Sequence, residues 1–361
     1  MNNKSSRILV FSTAYLPHIG GAELALKEIT DRVTGIDFDL LTVKLSSGLA
    51  SQEKIGNINI YRLTGGKLFF PLKAFLRASK LGKYDVVFAL QASYGAGGAW
   101  LYKLFNPRVK FILNIQEGKN LKRQGFLINF FRSMIINKAD VTTVISNYLA
   151  EYVKNVKAEA NIILIPNGVD LNKFKFSSSQ TLENKTIITT SRLVTKNGIA
   201  DLIDAFEILA NNYKLNNANL LIIGSGPLEE SLKFKVKSLN LEDRVVFQGE
   251  VPHDQLPRYL AKAYVYSRPS LSEGLGTAFL EAMACGVPVV CTARGGIVDF
   301  IIDRKTGLFC NAEDSKDLAE KISLLFEDSN LRTTISKEAR KLVEEKYDWN
   351  KIAIEYQKIF T

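Results

Sequence analysis

Two glutamates, Glu273 and Glu281, are the residues of this chain best suited by type and spacing to do chemistry. Glu281 lies in a run that is apolar on every side, Ala278–Cys285, and a glutamate is rarely buried without a partner. A carboxylate there could accept two hydrogen bonds from a vicinal diol, whereas a solvated surface glutamate would need a polar stripe that this run lacks. Glu273 lies in the preceding loop, where Gly274 lets backbone amides approach a ligand. The pair suits a sugar joined to a phosphate.

The pattern around these glutamates is strand, loop, helix, strand. Ala263–Ser267 and Val287–Cys291 are apolar and predict buried strands. The helix between them is expected to have Thr277 as its N-cap and to stop at Gly286. In such units ligands bind at the carboxyl ends of the strands, and a helix N-terminus offers unpaired amides to an anion.

Two further strand-to-helix turns carry groups that suit phosphate. Arg192 and Lys196, in the sequence SRLVTKNG, could clamp a diphosphate, or they could be two solvated surface cations. The turn that contains His18, Gly20 and Gly21 follows the first strand and opens the first helix. A glycine pair at such a turn is also explained by backbone geometry alone.

The sequence argues against two functional classes, metal-dependent sugar transferases and enzymes with a catalytic triad. Asp37-Phe38-Asp39 matches the Asp-x-Asp pattern of metal-dependent sugar transferases, but it precedes a strand, so we interpret it as a strand edge and predict no metal. His18 and His253 both lie in turn-like contexts without a recognisable nucleophile motif, which argues against a catalytic triad.

The composition is that of a soluble globular protein of 361 residues, 46% hydrophobic and 23% charged, which is long enough for two domains. Cys285, Cys291 and Cys310 lie in apolar segments without metal-ligand spacing, so we predict reduced core thiols. There is no signal-peptide pattern and no apolar run of the ~18 residues that a membrane span requires. We therefore expect a cytoplasmic protein.

The net charge of +10 is confined to the first half. Residues 1–170 contain 22 Lys and Arg against 12 Asp and Glu, whereas residues 171–361 contain 25 of each. Because no nucleic-acid module is present, we expect a membrane surface or a lipid phosphate as the anionic partner, and no nucleic acid. Lys67–Lys83 and Lys119–Lys138 interleave basic and apolar residues and could contact the inner face of the cell membrane, although any amphipathic helix on a sheet looks similar.

Strand-like and helix-like segments alternate in both halves, which predicts α/β domains with doubly wound parallel sheets. The predicted strands are Ile8–Ser12, Phe38–Val43, Ile58–Arg62, Val86–Leu90, Lys110–Ile115, Val141–Ile145, Ile162–Ile165, Thr186–Thr190, Ala218–Ile223 and Val245–Gln248. The predicted helices are Gly21–Val33, Leu72–Leu81, Gly97–Phe105, Phe126–Lys138, Ile199–Ala210 and Leu228–Leu239. The polar stretch 171–184 is interpreted as an interdomain linker.

Together these motifs resemble the retaining glycosyltransferases of the GT-B fold, in the group-one branch. The resemblance covers nearly the whole chain and is carried by Gly20-Gly21, IPNGVD (165–170), SRLVTKNG (191–198), IIGSGPL (222–228), GEVPHDQL (249–256) and SEGLGTAFLEAMACGVPVV (272–290). It implies two Rossmann-like domains that face each other across a cleft, with an acceptor domain over 1–170 and a nucleotide-sugar donor domain over 185–346. The helix within 347–361 would cross back and pack on the first domain.

The resemblance also assigns roles to residues. Glu273 would contact the transferred sugar, and Glu281 would hold the ribose hydroxyls. Arg192 and Lys196 would neutralise the diphosphate, without a metal or another cofactor. Backbone groups would complete the donor site: Gly274, Leu275 and Gly276 at sugar and phosphate, Gly21 at the diphosphate, and Gly249 to Val251 around the base.

Two positions depart from the family pattern. The lysine of the SRLVTKNG loop usually stands directly before the glycine, but Asn197 takes that place here, so either Lys196 or Asn197 could face the diphosphate. Gln116 stands where many members carry a histidine, and its amide cannot act as a base. Gln116 and His18 are the residues expected on the acceptor side.

The sequence thus predicts a metal-independent, retaining hexosyltransferase. It would use a nucleotide diphosphate sugar and a glycan or lipid-linked acceptor, as in the biosynthesis of cell-surface polysaccharides. A nucleotide-sugar binding protein without transfer activity and a GT-B-like nucleotide-sugar epimerase are the alternatives. A Rossmann oxidoreductase is disfavoured, because no complete Gly-x-Gly-x-x-Gly follows a strand.

Overall fold

A computed structural model of the chain describes residues 6–18, 20–118, 125–176, 185–212 and 218–361. Contacts divide the chain into two compact units, Met1–Asn167 with Trp349–Thr361, and Gly168–Asp348. Residues 177–184 of the expected linker lie outside the described residues. Residues 171–176 belong to the second unit, where Phe174 is buried and Arg340 donates a 2.9 Å hydrogen bond to its carbonyl oxygen. This part of the stretch is therefore packed.

In the described residues the first unit contains an eight-stranded sheet. Its strands are β1 (Ser6–Phe11), β2 (Ile36–Val43), β3 (Gln52–Ile55), β4 (Ile58–Leu63), β5 (Val86–Leu90), β6 (Lys110–Ile115), β7 (Val141–Val144) and β8 (Ile162–Leu164). The order is β3-β4-β2-β1-β5-β6-β7-β8, and every pairing is parallel except that of the edge strand β3 with β4. The chain reverses its direction of winding between β1 and β5, which is where doubly wound sheets bind ligands.

Helices connect the parallel strands of the first unit. They are α1 (Gly21–Arg32), α2 (Gly66–Leu81), α3 (Tyr94–Phe105), α4 (Phe126–Lys138) and α5 (Asn147–Val156). Helix α2 begins earlier than predicted, because Pro71 is accommodated within it rather than before it. Helix α5 was not predicted, and its N-cap is Ser146, whose side chain accepts a hydrogen bond from the Leu149 amide. Residues 119–124 of the predicted basic segment lie outside the described part of the chain.

The second unit has the strand order of a Rossmann domain. Its strands are β9 (Lys185–Thr190), β10 (Ala218–Ile223), β11 (Val245–Gly249), β12 (Val265–Arg268), β13 (Val289–Thr292) and β14 (Leu308–Cys310), all paired in parallel in the order β11-β10-β9-β12-β13-β14. Its α-helices are α6 (Ile199–Asn212), α7 (Glu229–Ser238), α8 (Leu256–Leu260), α9 (Thr277–Ala284), α10 (Ser315–Glu327) and α11 (Ser329–Lys346). The two sheets confirm the predicted pair of Rossmann-like α/β units.

The Asp37-Phe38-Asp39 sequence lies inside a strand and not at its edge as predicted, because β2 already begins at Ile36. The buried Asp39 carboxylate accepts hydrogen bonds from Arg7 at 2.5 Å, from the Tyr84 hydroxyl at 2.7 Å and from Asn59 at 2.9 Å. Side chains on or next to three neighbouring strands therefore donate hydrogen bonds to the Asp39 carboxylate, which indicates a structural role for it.

The three cysteines are buried and unpaired, as predicted. Burial raises the pKa of the Cys285 and Cys310 thiols to about 12, and it raises the pKa of Cys291 as well. A thiol with so high a pKa is protonated at neutral pH and is a poor nucleophile. The cysteines act as small apolar core residues.

The last helix, α12 (Trp349–Phe360), belongs to the first unit, as predicted. Its buried face packs into that unit's core, and Phe360 forms edge-to-face contacts with Phe38 and Phe88, with ring centroids 5.9 and 5.3 Å apart. The Tyr356 hydroxyl accepts a 3.0 Å hydrogen bond from the Asn114 side chain in β6. This helix thus completes a core that begins near the start of the chain.

The packing of α12 predicts that Phe360→Ala lowers the free energy of unfolding by about 3 to 5 kcal/mol, since it removes a buried ring and leaves a cavity. Ile354→Ala on the same helix is the matched control, because its side chain is 56% exposed, and it should change stability by about 0.5 kcal/mol or less. Urea denaturation of both variants measures the difference. Equal effects would contradict the packing of α12.

Candidate active site

The strand order of the second unit brings two of the predicted loops together. Strands β9 and β12 are neighbours across the point where the winding reverses, and Val265 and Tyr266 pair with Ile187 and Ile188. The loop 191–198 follows β9 and the loop 269–276 follows β12, so both lie at the same edge of the sheet. We call it the ligand edge, because parallel α/β sheets bind their ligands there.

The close approach of these loops requires a glycine. Gly198 has a φ of +67°, and a Cβ atom added to it would lie 2.2 Å from the Pro269 carbonyl oxygen. The Leu271 amide donates a 2.7 Å hydrogen bond to the Lys196 carbonyl oxygen, which fixes the two backbones to each other. A larger residue at position 198 would therefore separate the loops.

Glu273 is held in a fixed orientation at this edge. It is buried, and its Oε1 accepts hydrogen bonds from Arg268 Nη2 at 2.8 Å and from Ser270 Oγ at 3.0 Å. Burial opposes the charge of Arg268, but the Glu273 carboxylate raises the pKa of this guanidinium, which is therefore charged. Arg268 also donates a hydrogen bond to the Thr190 carbonyl oxygen and stacks over the Phe279 ring at 4.5 Å.

Lys196 and Asn197 point in different directions. The Lys196 ammonium lies 3.2 Å from the Ser272 carbonyl oxygen and 3.9 Å from Glu273 Oε2, and its side chain is 38% exposed. Asn197 is buried, and its Nδ2 donates a 2.6 Å hydrogen bond to the Arg192 carbonyl oxygen within the same loop. The ammonium of Lys196 is thus the group at the ligand edge, while Asn197 shapes the loop. The Arg192 side chain is exposed.

Glu281 is buried and has a partner, as the apolar run around it requires. His253 Nε2 lies 2.7 Å from Glu281 Oε1, and the His253 ring packs against Phe174 with centroids 5.4 Å apart. The histidine lies in the turn after Gly249 and Val251, so the pair places this turn beside helix α9. Sequence analysis identified both residues but not their contact.

The amino end of α9 differs from the prediction at one residue. Gly276 and not Thr277 is the N-cap, with a φ of +95°, and a Cβ atom there would lie 2.6 Å from the Phe279 ring. Gly274 and Leu275 precede it and are buried with it. Because Gly274 and Gly276 have no side chains, the backbone amides from Glu273 to Thr277 can come close to a ligand at this edge.

In the first unit, His18, Gly20 and Gly21 lie at the amino end of α1, after the central strand β1. The Gly20 amide donates a 2.9 Å hydrogen bond to the Glu23 carboxylate, which caps the helix. His18 is exposed, and its Nε2 lies 2.7 Å from Ser46 Oγ. Ile19 lies outside the described residues.

Gln116 lies just after β6, in a buried chain of neutral polar side chains. Its Nε2 donates a 2.6 Å hydrogen bond to Asn114 Oδ1, and its Oε1 accepts a 2.8 Å bond from Asn167 Nδ2. Asn114 in turn donates to Thr143 at 2.9 Å and to Tyr356. Amides and hydroxyls do not titrate near neutral pH, so this chain of contacts supplies no general base.

Arg268, Glu117 and Arg132 were missed by sequence analysis. Glu117 follows Gln116 and is buried 3.8 Å from Arg132; burial raises the pKa of its carboxyl group against the effect of that guanidinium. The signal for Arg268 was an arginine at the end of an apolar strand five residues before Glu273. Glu117 and Arg132 are distant in sequence, so no local pattern predicts their contact.

No group of three or more His, Cys, Asp or Glu side chains in the described residues is arranged to hold a metal ion. The expected absence of a metal thus stays a prediction. Across residues 6–18, 20–118, 125–176, 185–212 and 218–361, no helix combines the length and the apolar character that crossing a bilayer would require.

Two sequence families match this chain. Residues 170–342 match the family of glycosyl transferases group 1, and residues 19–173 match glycosyltransferase family 4. Residues 170–342 therefore belong to the group 1 glycosyltransferases, and the two glycosyltransferase families together cover residues 19–342. It is 27% identical over 364 residues to an uncharacterised glycosyltransferase of Methanocaldococcus jannaschii, a match that covers 98% of this chain and 97% of that protein.

Solved structures show the same fold. Sucrose-phosphate synthase from Thermosynechococcus elongatus has a TM-score of 0.87 at 21% identity, with 98% of each chain covered. HepE of Anabaena in complex with UDP-glucose has a TM-score of 0.81 at 20% identity, also with 98% of each chain covered. The fold is thus GT-B, as predicted.

The contact of Gly198 with Pro269 predicts that Gly198→Ala destabilises the protein more than backbone strain alone can explain. Gly35→Ala is the matched control, since Gly35 has a φ of +72° and no atom within 4 Å of an added Cβ. Left-handed strain should cost the control about 1 kcal/mol, whereas Gly198→Ala should cost about 3 kcal/mol or more because a backbone must move. Urea denaturation compares the two, and equal losses would argue against the loop contact.

Proposed function

We propose that this chain is a retaining, metal-independent hexosyltransferase, which moves a sugar from a nucleotide diphosphate sugar to a hydroxyl of a glycan or lipid-linked acceptor. The observation that carries the proposal is the juxtaposition of Lys196 and Glu273 at the ligand edge of the second sheet. One group is a cation suited to phosphate, and the other is a fixed carboxylate suited to sugar hydroxyls.

On the donor side, charge is supplied by side chains in place of an ion. Lys196, with the exposed Arg192 of the same loop, neutralises the negative charge that develops on the diphosphate as it leaves. The amides around Gly274 and Gly276 and the amino end of α9 add positive potential at the same place. The complex of HepE with UDP-glucose supports a nucleotide sugar as the donor class.

Glu273 positions the transferred sugar. Arg268 and Ser270 occupy Oε1, so the carboxylate cannot rotate freely, and Oε2 faces the side of Lys196. A hydroxyl of the sugar that donates to this carboxylate would be held at a defined distance from the diphosphate. Glu281, already oriented by His253, would accept hydrogen bonds from the ribose hydroxyls at the other end of the donor.

The acceptor proton goes to the leaving group in this mechanism. Gln116 is held by Asn114 and Asn167 and cannot take a proton at neutral pH. The acceptor hydroxyl attacks the anomeric carbon on the face from which the diphosphate departs, and a phosphate oxygen of the leaving group accepts the hydroxyl proton. The new glycosidic bond then has the configuration of the bond that was broken.

The donor site predicts that one class among UDP-, GDP- and ADP-sugars raises the melting temperature of the protein in EDTA. Lys196→Ala should weaken this binding about 10- to 100-fold, because a charge-assisted contact to phosphate is lost. Glu281→Ala should also weaken it, while Lys262→Ala, an exposed lysine of the same unit, should not. Binding that requires Mg²⁺ or Mn²⁺ would contradict the metal-independent mechanism.

Glu273→Gln keeps the size of the side chain but removes its charge, and it should lower kcat by about 100-fold or more while donor binding changes little. Arg268 loses its anionic partner in this variant, so the melting temperature must be measured beside the rate. Glu242→Gln, at an exposed position, is the control. A variant that keeps both its melting temperature and the wild-type kcat would exclude Glu273 from the reaction.

A further inference from the structure

The first unit exposes an unusual amount of apolar surface on three helices. Twelve of the 21 exposed large apolar side chains in the described residues lie on α2, α3 and α4. On α4 the exposed fractions reach 81% for Phe126, 68% for Leu127 and 60% for Phe131. Contiguous exposed apolar surface of this kind marks an interaction site and not a solvated face.

Helix α2 carries an apolar strip and a basic strip next to each other. Leu68, Leu72 and Leu76 recur every fourth residue and are each more than half exposed. Lys73, Arg77 and Lys80 follow the adjacent side and line a cavity of about 380 Å³. Arg62 also lines this cavity, but it is buried and paired with Glu53, so the three residues of α2 supply the available positive charge. Long basic side chains beside an apolar strip can lie along it while their charged ends reach an anionic layer.

A second cavity, of about 600 Å³, opens between the same helices. Its wall is largely apolar and includes Pro71, Trp100, Leu127, Phe131 and Met134. Cavities of several hundred Å³ with apolar walls are typical binding sites for small apolar ligands. The volume and the lining, in which Arg132 is the only charged residue, suit a hydrocarbon chain.

The charge around α2, α3 and α4 favours an anionic bilayer over a second copy of the chain as the partner of this face. Residues 64–138 contain 13 Lys and Arg but only two acidic residues, Asp85 and Glu117. A second copy of the chain docked through the same face would bring two strongly positive surfaces together, which costs free energy. An anionic bilayer offers apolar chains and negative headgroups at once, so it complements both the apolar and the basic strip.

We propose that the α2–α3–α4 face docks on an anionic lipid bilayer, with a lipid phosphate in the basic cavity and one hydrocarbon chain in the apolar cavity. The apolar cavity also includes Ala92 and Ser93, which follow β5 at the switch point of the first sheet. A lipid chain held there lies at the edge of the sheet where Gln116 and Glu117 follow β6 and the Ala92 amide donates a hydrogen bond to Glu117. The link to an acceptor rests on the proposed transferase function, whereas docking itself does not.

Co-sedimentation of the full chain with vesicles tests the docking, without donor or acceptor. Binding is expected to vesicles of phosphatidylcholine with 30% phosphatidylglycerol, and at least tenfold weaker binding to phosphatidylcholine alone. Phe126→Ser/Phe131→Ser and Lys73→Glu/Lys80→Glu should each weaken binding at least tenfold. The matched controls, Phe234→Ser and Lys237→Glu/Lys341→Glu, change exposed residues of the second unit and should leave binding within twofold.

Trp100 provides a direct reporter for the chain in the apolar cavity. The protein has two tryptophans, and Trp349 is buried in the core, so lipids brominated on their acyl chains should quench mainly Trp100. Trp100→Phe should abolish most of the quenching but not the sedimentation.

Either of two results would overturn the docking: no vesicle binding, or equal loss in the control variants. Dimers that dissociate in Phe126→Ser/Phe131→Ser, without vesicle binding, would assign the face to a second copy. Vesicle binding without quenching would refute the chain in the cavity. The melting temperature of the same variants with nucleotide sugars tests the transferase function separately. A normal shift without vesicle binding would contradict the lipid site alone, whereas the absence of any shift would contradict the proposed function.

Discussion

The candidate site depends on one backbone contact, that of Gly198 with Pro269. Strand order makes the two loops neighbours, but only the absence of a side chain at position 198 lets their backbones meet. The contact then restricts where Lys196 and Glu273 lie, because Lys196 is two residues from Gly198 and Glu273 is four residues from Pro269. A cation and a carboxylate at 3.9 Å are therefore positioned by main-chain packing and not by their own attraction, which is weak for a partly exposed pair.

The two units differ in the polar side chains that lie at their ligand edges. In the second unit each of two buried carboxylates has a basic partner, Arg268 for Glu273 and His253 for Glu281. In the first unit the side chains bonded to Gln116 are neutral, although the adjacent Glu117 is buried 3.8 Å from Arg132. Buried ion pairs contribute little net stability because desolvation offsets their attraction, but they restrict orientation. Each unit thus has an oriented carboxylate at this edge, Glu273 in one and Glu117 in the other, and the first unit adds amides and hydroxyls that do not titrate near neutral pH.

Much of the fold could be predicted, because buried parallel strands and amphipathic helices have strong local patterns. Lys110–Ile115 and Phe126–Lys138 have the predicted bounds. The edge strand Gln52–Ile55 was missed because it is polar and largely exposed, so it lacks any apolar run. Helix α11 was not predicted, although it buries Ile335, Ala339 and Val343 at every fourth position, which is a helical pattern.

The candidate site was predictable where its signal is local and not where it depends on folding. A glutamate within an apolar run identifies Glu281, but its partner His253 is 28 residues away in another element. The choice between Lys196 and Asn197 depends on the direction that each side chain takes from a single turn of 3₁₀-helix, which composition does not encode. The sequence predicted amphipathic helices in the region of the exposed apolar face. It could not predict which of their apolar residues are exposed, because that depends on what packs against the helices.

The position of α12 has a consequence for the order in which the protein folds during synthesis. The second unit, Gly168–Asp348, is complete in the nascent chain before residues 349–360 have been made. The first unit, although its sheet is synthesised first, lacks the rings of Tyr356 and Phe360 in its core until the ribosome has passed the whole second unit. The part of the protein that is translated first is therefore the part that folds to completion last, and its exposed core must be kept from aggregating in the interval.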